Sequence, residues 1–213
     1  MRPIYVKSGD VFFTRSSTVL GKLIRWAETD PNETETWANH TGVVDEEGWV
    51  GAEGIPPAVM PADHPAIVIE ALWHTRRGPL VLNGTKVRFF RPVPGYSYTE
   101  VGAFWREAKT YVGDKYGWWK LGVQLADRLL FKGKKILTTG LYIKSRPICS
   151  FLVAMATQQA QSADRTIKRV KAHLDRGDNG LAVYAFGCVP QAADPDTMMD
   201  YCLANPSEWQ EVK

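Results

Sequence analysis

The chain has few of the features that mark several common protein classes. Its three cysteines show no C-x-x-C or metal-ligand spacing, which favours free thiols in a reducing compartment, with a Cys188–Cys202 disulfide as the alternative. No run approaches the roughly 20 apolar residues of a membrane-spanning helix. The first ten residues lack the apolar stretch of a secretory signal. We therefore expect no signal peptide and no membrane span, a cytoplasmic location by default, and delivery by another route as an open alternative.

The chain also lacks a large excess of either positive or negative charge. The 26 basic and 23 acidic residues leave a net charge of +3, which is a weak argument for a polyanionic partner. A basic run at 165–176 has no interleaved aromatic residues, so it indicates a solvated helix face and no nucleic-acid partner. No repeat or change of composition divides the 213 residues, and 45% of them are hydrophobic. We expect one domain, at 1–213, with a full core.

The predicted elements change character along the chain. Short β-prone runs lie at 41–45, 66–72 and 86–91, with glycines in the turns between them. A first helix follows Ser16 or Ser17 as its N-cap, with apolar residues spaced for one face. A second opens on a capping box at 97–100 and stops at Gly113. Strands early and helices late predict an α+β fold.

Cys149 lies where a thiol can become a nucleophile. A stretch stopped by Pro147 leads into Cys149, and the apolar run at 151–156 that follows predicts a buried helix. Unpaired N–H groups and the dipole at a helix start favour thiolate over thiol. The same pattern also fits a small buried side chain without chemistry, since free cysteine is among the most buried residue types.

A thiolate nucleophile needs an imidazole and a polar group that orients it. The chain has four histidines: His40, His64, His74 and His173. His40 opens a β-prone run, and Glu70 lies within the apolar strand at 66–72, where a carboxylate is costly unless it has a partner. Adjacent antiparallel strands would let Glu70 bond to His40. We therefore predict Cys149 as nucleophile, His40 as base and acid, and Glu70 as the group that orients His40.

Five short motifs occur in an order that resembles a known family. They are Gly9-Asp10-Val11-Phe12-Phe13, His40-Thr41-Gly42-Val43-Val44, Val68-Ile69-Glu70-Ala71, Gly113-Asp114-Lys115-Tyr116 and Cys149-Ser150-Phe151-Leu152-Val153. In this order the chain resembles the circularly permuted branch of the NlpC-type papain-like hydrolases, the YiiX-like group. The resemblance runs from about residue 9 to the C-terminus and includes the tail at 189–200. Phe151 departs from the pattern, because many members have an acidic residue there.

The resemblance implies a permuted papain-like fold, in which a small antiparallel sheet or barrel packs against helices. It implies a cysteine hydrolase or acyltransferase that works through a thioester, with no metal and no cofactor. Tyr116 resembles a family tyrosine near the active site, although a core position fits it nearly as well. The backbone N–H of Cys149 would hold the oxyanion, with Ser150 beside it. The stretch 117–145 resembles an insertion.

Within that stretch, Trp118 begins an apolar helical stripe with Leu121, Leu125 and Leu129. Packing against the core is the first expectation for such a stripe. The alternative is an apolar wall of the cleft, with Trp118 binding substrate, or a surface in contact with lipid, since tryptophans beside lysines suit an interface.

Alternatives to this interpretation remain open. The substrate is a small molecule, peptide or lipid-like acyl compound: an amide, as in cell-wall peptides, or an ester or lipid acyl group, as in the lecithin:retinol acyltransferase-like branch. A catalytically silent binding module would keep the fold but leave Cys149 unreactive. A metal site built from His64, His74 and Glu70 is disfavoured by the prolines near His64 and by the absence of helical spacing.

Overall fold

The computed structural model describes residues 3–28, 36–51, 64–80, 82, 85–131, 136–137, 148–163, 185–188, 190 and 193–213. The basic run at 165–176, with its His173, and the residues at 138–147 that precede Cys149 lie outside these ranges, as does Val189.

Eight strands of the described residues form two antiparallel sheets. They are β1 (Ile4–Val6), β2 (Val11–Arg15), β3 (His40–Glu46), β4 (Gly48–Val50), β5 (Ile67–Ala71), β6 (Thr75–Pro79), β7 (Lys86–Pro92) and β8 (Trp209–Val212). The main sheet has the order β6-β5-β3-β2-β7-β8, and β1 pairs with β4 separately. The C-terminal strand β8 thus closes one edge next to β7. The three predicted strands are all present, as β3, β5 and β7.

Five helices complete the described fold: α1 (Val19–Glu28), α2 (Tyr98–Thr110), α3 (Trp118–Leu130), α4 (Cys149–Ala163) and α5 (Pro195–Ala204). The predicted capping box of α2 is present, because Ser97 and Glu100 exchange side-chain-to-backbone hydrogen bonds. The start of α1 differs from the prediction. Thr18, rather than Ser16 or Ser17, accepts the hydrogen bond from the Gly21 N–H at 3.1 Å, since Ser16 is engaged by the Thr18 N–H instead.

The alternation of side chains along the strands divides the core between two faces of the main sheet. Val11, Phe13 and Val43 belong to the larger cluster, which includes residues of α2 and α4. Phe12 and Val44 point to the opposite face and belong to a second, smaller cluster. This period of two matches the pleat of a strand that is buried on both sides. The predicted α+β class is confirmed, and no described helix is both long and apolar enough to cross a bilayer.

Gly42 in β3 lies where any side chain would clash with its neighbours. A Cβ atom there would lie 2.5 Å from Cζ of Phe12 and 2.9 Å from the Ile69 carbonyl oxygen. Phe12 is fully buried, so its ring has little room to move.

We expect Gly42→Ala to cost about 1–3 kcal/mol through overpacking, and so to lower the thermal midpoint by several degrees. Gly78→Ala is the matched control, because a Cβ at Gly78 meets nothing within 4 Å. Calorimetry of both variants measures the difference. Equal midpoints for the two variants would contradict the packing argument at Gly42.

Candidate active site

His40 and Glu70 meet because of the register between two strands. Gly42 of β3 is directly opposite Glu70 of β5, so these two positions share a face of the sheet. His40 lies two residues before Gly42 and points to the same face. Its Nε2 is 2.8 Å from Oε2 of Glu70, and the two side chains are 13% and 4% exposed. His40 and Glu70 therefore pair on adjacent antiparallel strands, as the sequence predicts.

Glu70 has a second partner on its other oxygen. Arg76 of β6 is directly opposite Glu70, and its Nε donates to Oε1 at 3.0 Å, with Nη2 donating to the same atom. Burial opposes the charge of Glu70, but the hydrogen bonds and positive charges of His40 and Arg76 lower the pKa of the carboxyl overall. Glu70 is thus held as a carboxylate with one oxygen on each partner.

Cys149 is the first residue of α4, as the sequence predicted, and is 4% exposed. Its sulfur contacts the His40 side chain and the backbone N–H groups of Thr41 and Ser150. Burial opposes the thiolate, but the hydrogen bond and charge of His40, helped by the two N–H groups, lower the pKa of the thiol. The thiolate form is therefore stabilised at this helix start.

The imidazole shows the complementary shift. Burial opposes its protonation, but hydrogen bonds and charge from Cys149 and Glu70 raise the pKa of His40 to about 10. Nε2 is taken by Glu70, which leaves Nδ1 as the ring nitrogen for Cys149. The two shifts favour a thiolate on Cys149 and an imidazolium on His40, with Glu70 and Arg76 continuing the line of alternating charge.

The sequence predicts that the Cys149 N–H and Ser150 bind the oxyanion or the substrate, but the two groups differ in their surroundings. The Cys149 N–H is at the N-terminus of α4, where backbone N–H groups have no partner within the helix. The Ser150 side chain is fully buried, and its hydroxyl donates to the Ala193 carbonyl at 2.7 Å. Ser150 therefore anchors the segment before α5 and does not offer its hydroxyl to a substrate, because that hydroxyl is buried and bonded to Ala193.

A cavity of about 270 Å³ adjoins His40 and Glu70. Its lining includes both predicted aromatic residues, Tyr116 and Trp118, whose ring centroids are 4.8 Å apart. Most of the remaining lining is apolar or small, and comes from α1, the turn between β5 and β6, and the segment after β6. Cys149 is not among the lining residues. Of the three candidate catalytic residues, the cavity thus borders His40 and Glu70.

The sequence analysis missed two residues that position the site. Arg76 was missed although its place one tight turn after the β5 strand would have put it opposite Glu70. Asp196 of α5 was also missed: its Oδ1 accepts from the backbone N–H groups of Trp37 and Ala38, at 2.8 and 2.9 Å. These bonds hold the segment that leads into His40. No local signal in the sequence links Asp196 to residues so far away.

Cys188 and Cys202 are free thiols, so the alternative of a disulfide between them is not what the structure contains. Burial raises the pKa of Cys202 well above its ordinary value. Of the two buried cysteines, Cys149 and Cys202, only Cys149 has its pKa lowered.

No family model and no curated protein matches the chain. A search of solved structures finds a crystal structure described as the metalloprotein YiiX from Escherichia coli O157:H7, a DUF1105 protein. The two chains are 18% identical, with a TM-score of 0.51 over 97% of this chain and 96% of the other. The YiiX-like fold predicted from the five motifs is confirmed by this likeness.

The description of that neighbour raises the question of a metal here. No three His, Cys, Asp or Glu side chains of the described residues are grouped to hold a metal ion. His40 is engaged by Cys149 and Glu70, and His64 and His74 are exposed and not part of any such group. The donor set described for this chain therefore does not fit a metal centre.

Proposed function

We propose that this protein is a cysteine hydrolase or acyltransferase that forms a thioester on Cys149. The observation that carries the proposal is the contact between the Cys149 sulfur and His40, whose Nε2 is 2.8 Å from Glu70, at the start of α4. A nucleophile, a base and an orienting carboxylate in this arrangement are the parts that acyl transfer needs.

The proposed reaction has two halves. The Cys149 thiolate attacks the carbonyl carbon of an amide or ester, forming a C–S bond and a tetrahedral oxyanion, which the Cys149 N–H helps to hold. The oxyanion collapses, the bond to the leaving nitrogen or oxygen breaks, and the leaving group takes the proton of the His40 imidazolium. Water or an acceptor alcohol or amine then attacks the thioester. His40 takes the proton of that nucleophile, and Cys149 leaves as thiolate.

Glu70 and Arg76 would act through His40 rather than on the substrate. Glu70 fixes the ring orientation by its bond to Nε2, so that the other ring nitrogen faces the sulfur. Arg76 keeps the carboxylate in place through two donors on Oε1. Both are therefore positioning residues in this proposal.

Mass spectrometry after reaction with 4-nitrophenyl butyrate and with a peptide 4-nitroanilide tests the proposal. We expect a butyryl group on the peptide that contains Cys149, and release of nitrophenol above the rate of the Cys149→Ala variant. The ester is the better substrate in this proposal, because the cavity beside His40 is largely apolar. Faster release from the nitroanilide would instead favour the amidase alternative.

One observation favours a second candidate function, a silent binding module of the same fold. Cys149 is only 4% exposed and does not line the cavity. If neither probe acylates Cys149 and the folded protein releases no nitrophenol above the variant, the binding module becomes the better explanation.

We expect Glu70→Gln to reduce turnover of 4-nitrophenyl butyrate by about 10–100-fold while Cys149→Ala removes it, because an amide oxygen can still accept from the imidazole. The loss of the Glu70 charge should also lower the pKa of His40, and so shift the alkaline limb of the pH–rate profile to lower pH.

Thermal melting of Glu70→Gln separates catalysis from folding. Its control is Glu46→Gln, at an exposed carboxylate that pairs with Arg77 of β6. A melted Glu70→Gln protein whose folded fraction turns over normally would make Glu70 a structural strand residue.

A further inference from the structure

Exposed apolar side chains concentrate on the elements that line the cavity. On α1, Val19, Leu23 and Trp26 follow a 4-3 spacing and so share one face. Their exposed fractions are 86%, 45% and 45%. The other side of the same helix, at Gly21 and Ile24, lines the cavity. Helix α1 therefore has one apolar face toward the cavity and a second that meets solvent.

The exposed face continues onto neighbouring elements. Helix α3 packs against α1. At the start of α3, Trp118 lies with its ring centroid 4.9 Å from that of Trp73, and Trp73 is 74% exposed. Both tryptophans also line the cavity. We call the apolar rim the six residues Val19, Leu23, Trp26, Trp73, Trp118 and Leu129, of which Leu129 is 64% exposed.

The apolar rim corrects one expectation from the sequence. The stripe on α3 was expected to pack against the core, but Trp118 is 36% exposed and Leu129 is 64% exposed. Leu125, between them, is only half-buried. A monomer rarely leaves so many large apolar side chains together in water unless the surface has a partner.

Among the described residues, two exposed lysines lie near the rim. Lys22 is exposed one turn from both Val19 and Trp26, and Lys115 is exposed shortly before Trp118. The acidic residue of α3, Asp127, is 2% exposed, and its side chain accepts from the Leu137 N–H at 2.9 Å. The negative charge of α3 is thus turned inward, while the lysines face the solvent.

We propose that the apolar rim docks on a lipid bilayer that carries anionic headgroups. Tryptophan and leucine beside lysine are the combination that lies in a membrane interface, with the rings at headgroup depth and the ammonium groups on lipid phosphates. Trp73 and Trp118 of the rim also line the cavity, so docking brings that wall of the cavity next to the lipid. Docking requires neither Cys149 nor the reaction proposed above.

Co-sedimentation with phosphatidylcholine vesicles that contain phosphatidylglycerol tests the docking. The variant Val19→Gln/Leu23→Gln/Trp26→Gln removes the exposed face of α1 while keeping good helix formers. The matched control is Tyr5→Gln/Tyr98→Gln/Leu203→Gln, at exposed side chains of β1, α2 and α5 outside the rim, with exposed fractions of 38%, 95% and 43%. Circular dichroism and thermal melting establish that each variant is folded.

We expect the wild type, the control and Cys149→Ala to partition onto the vesicles alike. The α1 variant should lose more than about tenfold in partition coefficient, since binding follows the apolar area that is buried. Vesicles of phosphatidylcholine alone should bind the wild type more weakly, because the lysines then have no anionic partners.

Three results would overturn the proposal: no binding of the wild type to the anionic vesicles, equal loss in the control and the α1 variant, or a dimer in light scattering that the α1 variant abolishes while vesicles bind neither protein. The last result would assign the rim to a second copy of this chain. Since Cys149→Ala tests the reaction separately, failure of docking and failure of the proposed chemistry are distinguishable.

Discussion

Iodoacetamide should alkylate Cys149 well below pH 8, and His40→Ala should slow that reaction at about pH 6 by 100-fold or more. The reactive form is the thiolate, whose fraction falls tenfold for each pH unit below the pKa. The imidazolium of His40 lowers the pKa of Cys149 and keeps its own proton up to about pH 10, so the thiolate should persist to lower pH than that of an ordinary cysteine.

The pKa of Cys149 should rise when His40 is replaced by Ala. Without His40, burial is left to raise the pKa of Cys149, with only the N–H groups of Thr41 and Ser150 to lower it. A thiol with an ordinary pKa of about 8.5 is only about 0.3% thiolate at pH 6. The labelling curve of His40→Ala should therefore move to higher pH.

Two comparisons make this measurement specific. His64→Ala is the matched histidine control, because His64 is exposed and lies outside the site. Cys202 is the internal control: it is buried with a raised pKa and should label slowly at all neutral pH values. Equal labelling of the cysteines, with no effect of His40→Ala, would rule out an activated thiolate at Cys149.

Replacing Cys149 with Ala should lower the pKa of His40 by several units as well as abolish acylation. The pKa of about 10 depends first on the hydrogen bond and charge of Cys149, and only then on Glu70. With the thiolate gone, burial again favours the neutral imidazole, and Glu70 alone opposes it. Proton NMR of the His40 ring as a function of pH measures the change without any substrate.

The control for the NMR titration is Cys202→Ala, which removes a buried thiol away from His40. We expect that variant to leave the His40 titration unchanged. Both cysteine variants should stay folded, since each loses only a small side chain. A His40 pKa that is the same in wild type and Cys149→Ala would mean that the thiol carries no charge, and the ion pair would have to be abandoned.

Local patterns predicted much of this fold. The capping box at Ser97 and Glu100, the strand periods around His40 and Glu70, and the helix that begins at Cys149 all lie where the sequence indicated. Each depends on interactions within a few residues of the chain, which is why sequence spacing is enough to find them. The start of α1 was placed wrongly because three consecutive hydroxyl residues, Ser16 to Thr18, can all cap a helix.

The sequence by itself determined the candidate chemistry: a thiol at a helix start, four histidines, and a carboxylate inside an apolar strand. Only the tertiary structure decided that His40 contacts both Cys149 and Glu70. The first contact depends on the packing of α4 against β3, and the second on the register of β3 against β5. It also placed Arg76 opposite Glu70 and turned the Ser150 hydroxyl toward Ala193. These outcomes depend on contacts between distant residues, and the pKa values of His40 and Cys149 follow from those contacts rather than from their neighbours in sequence.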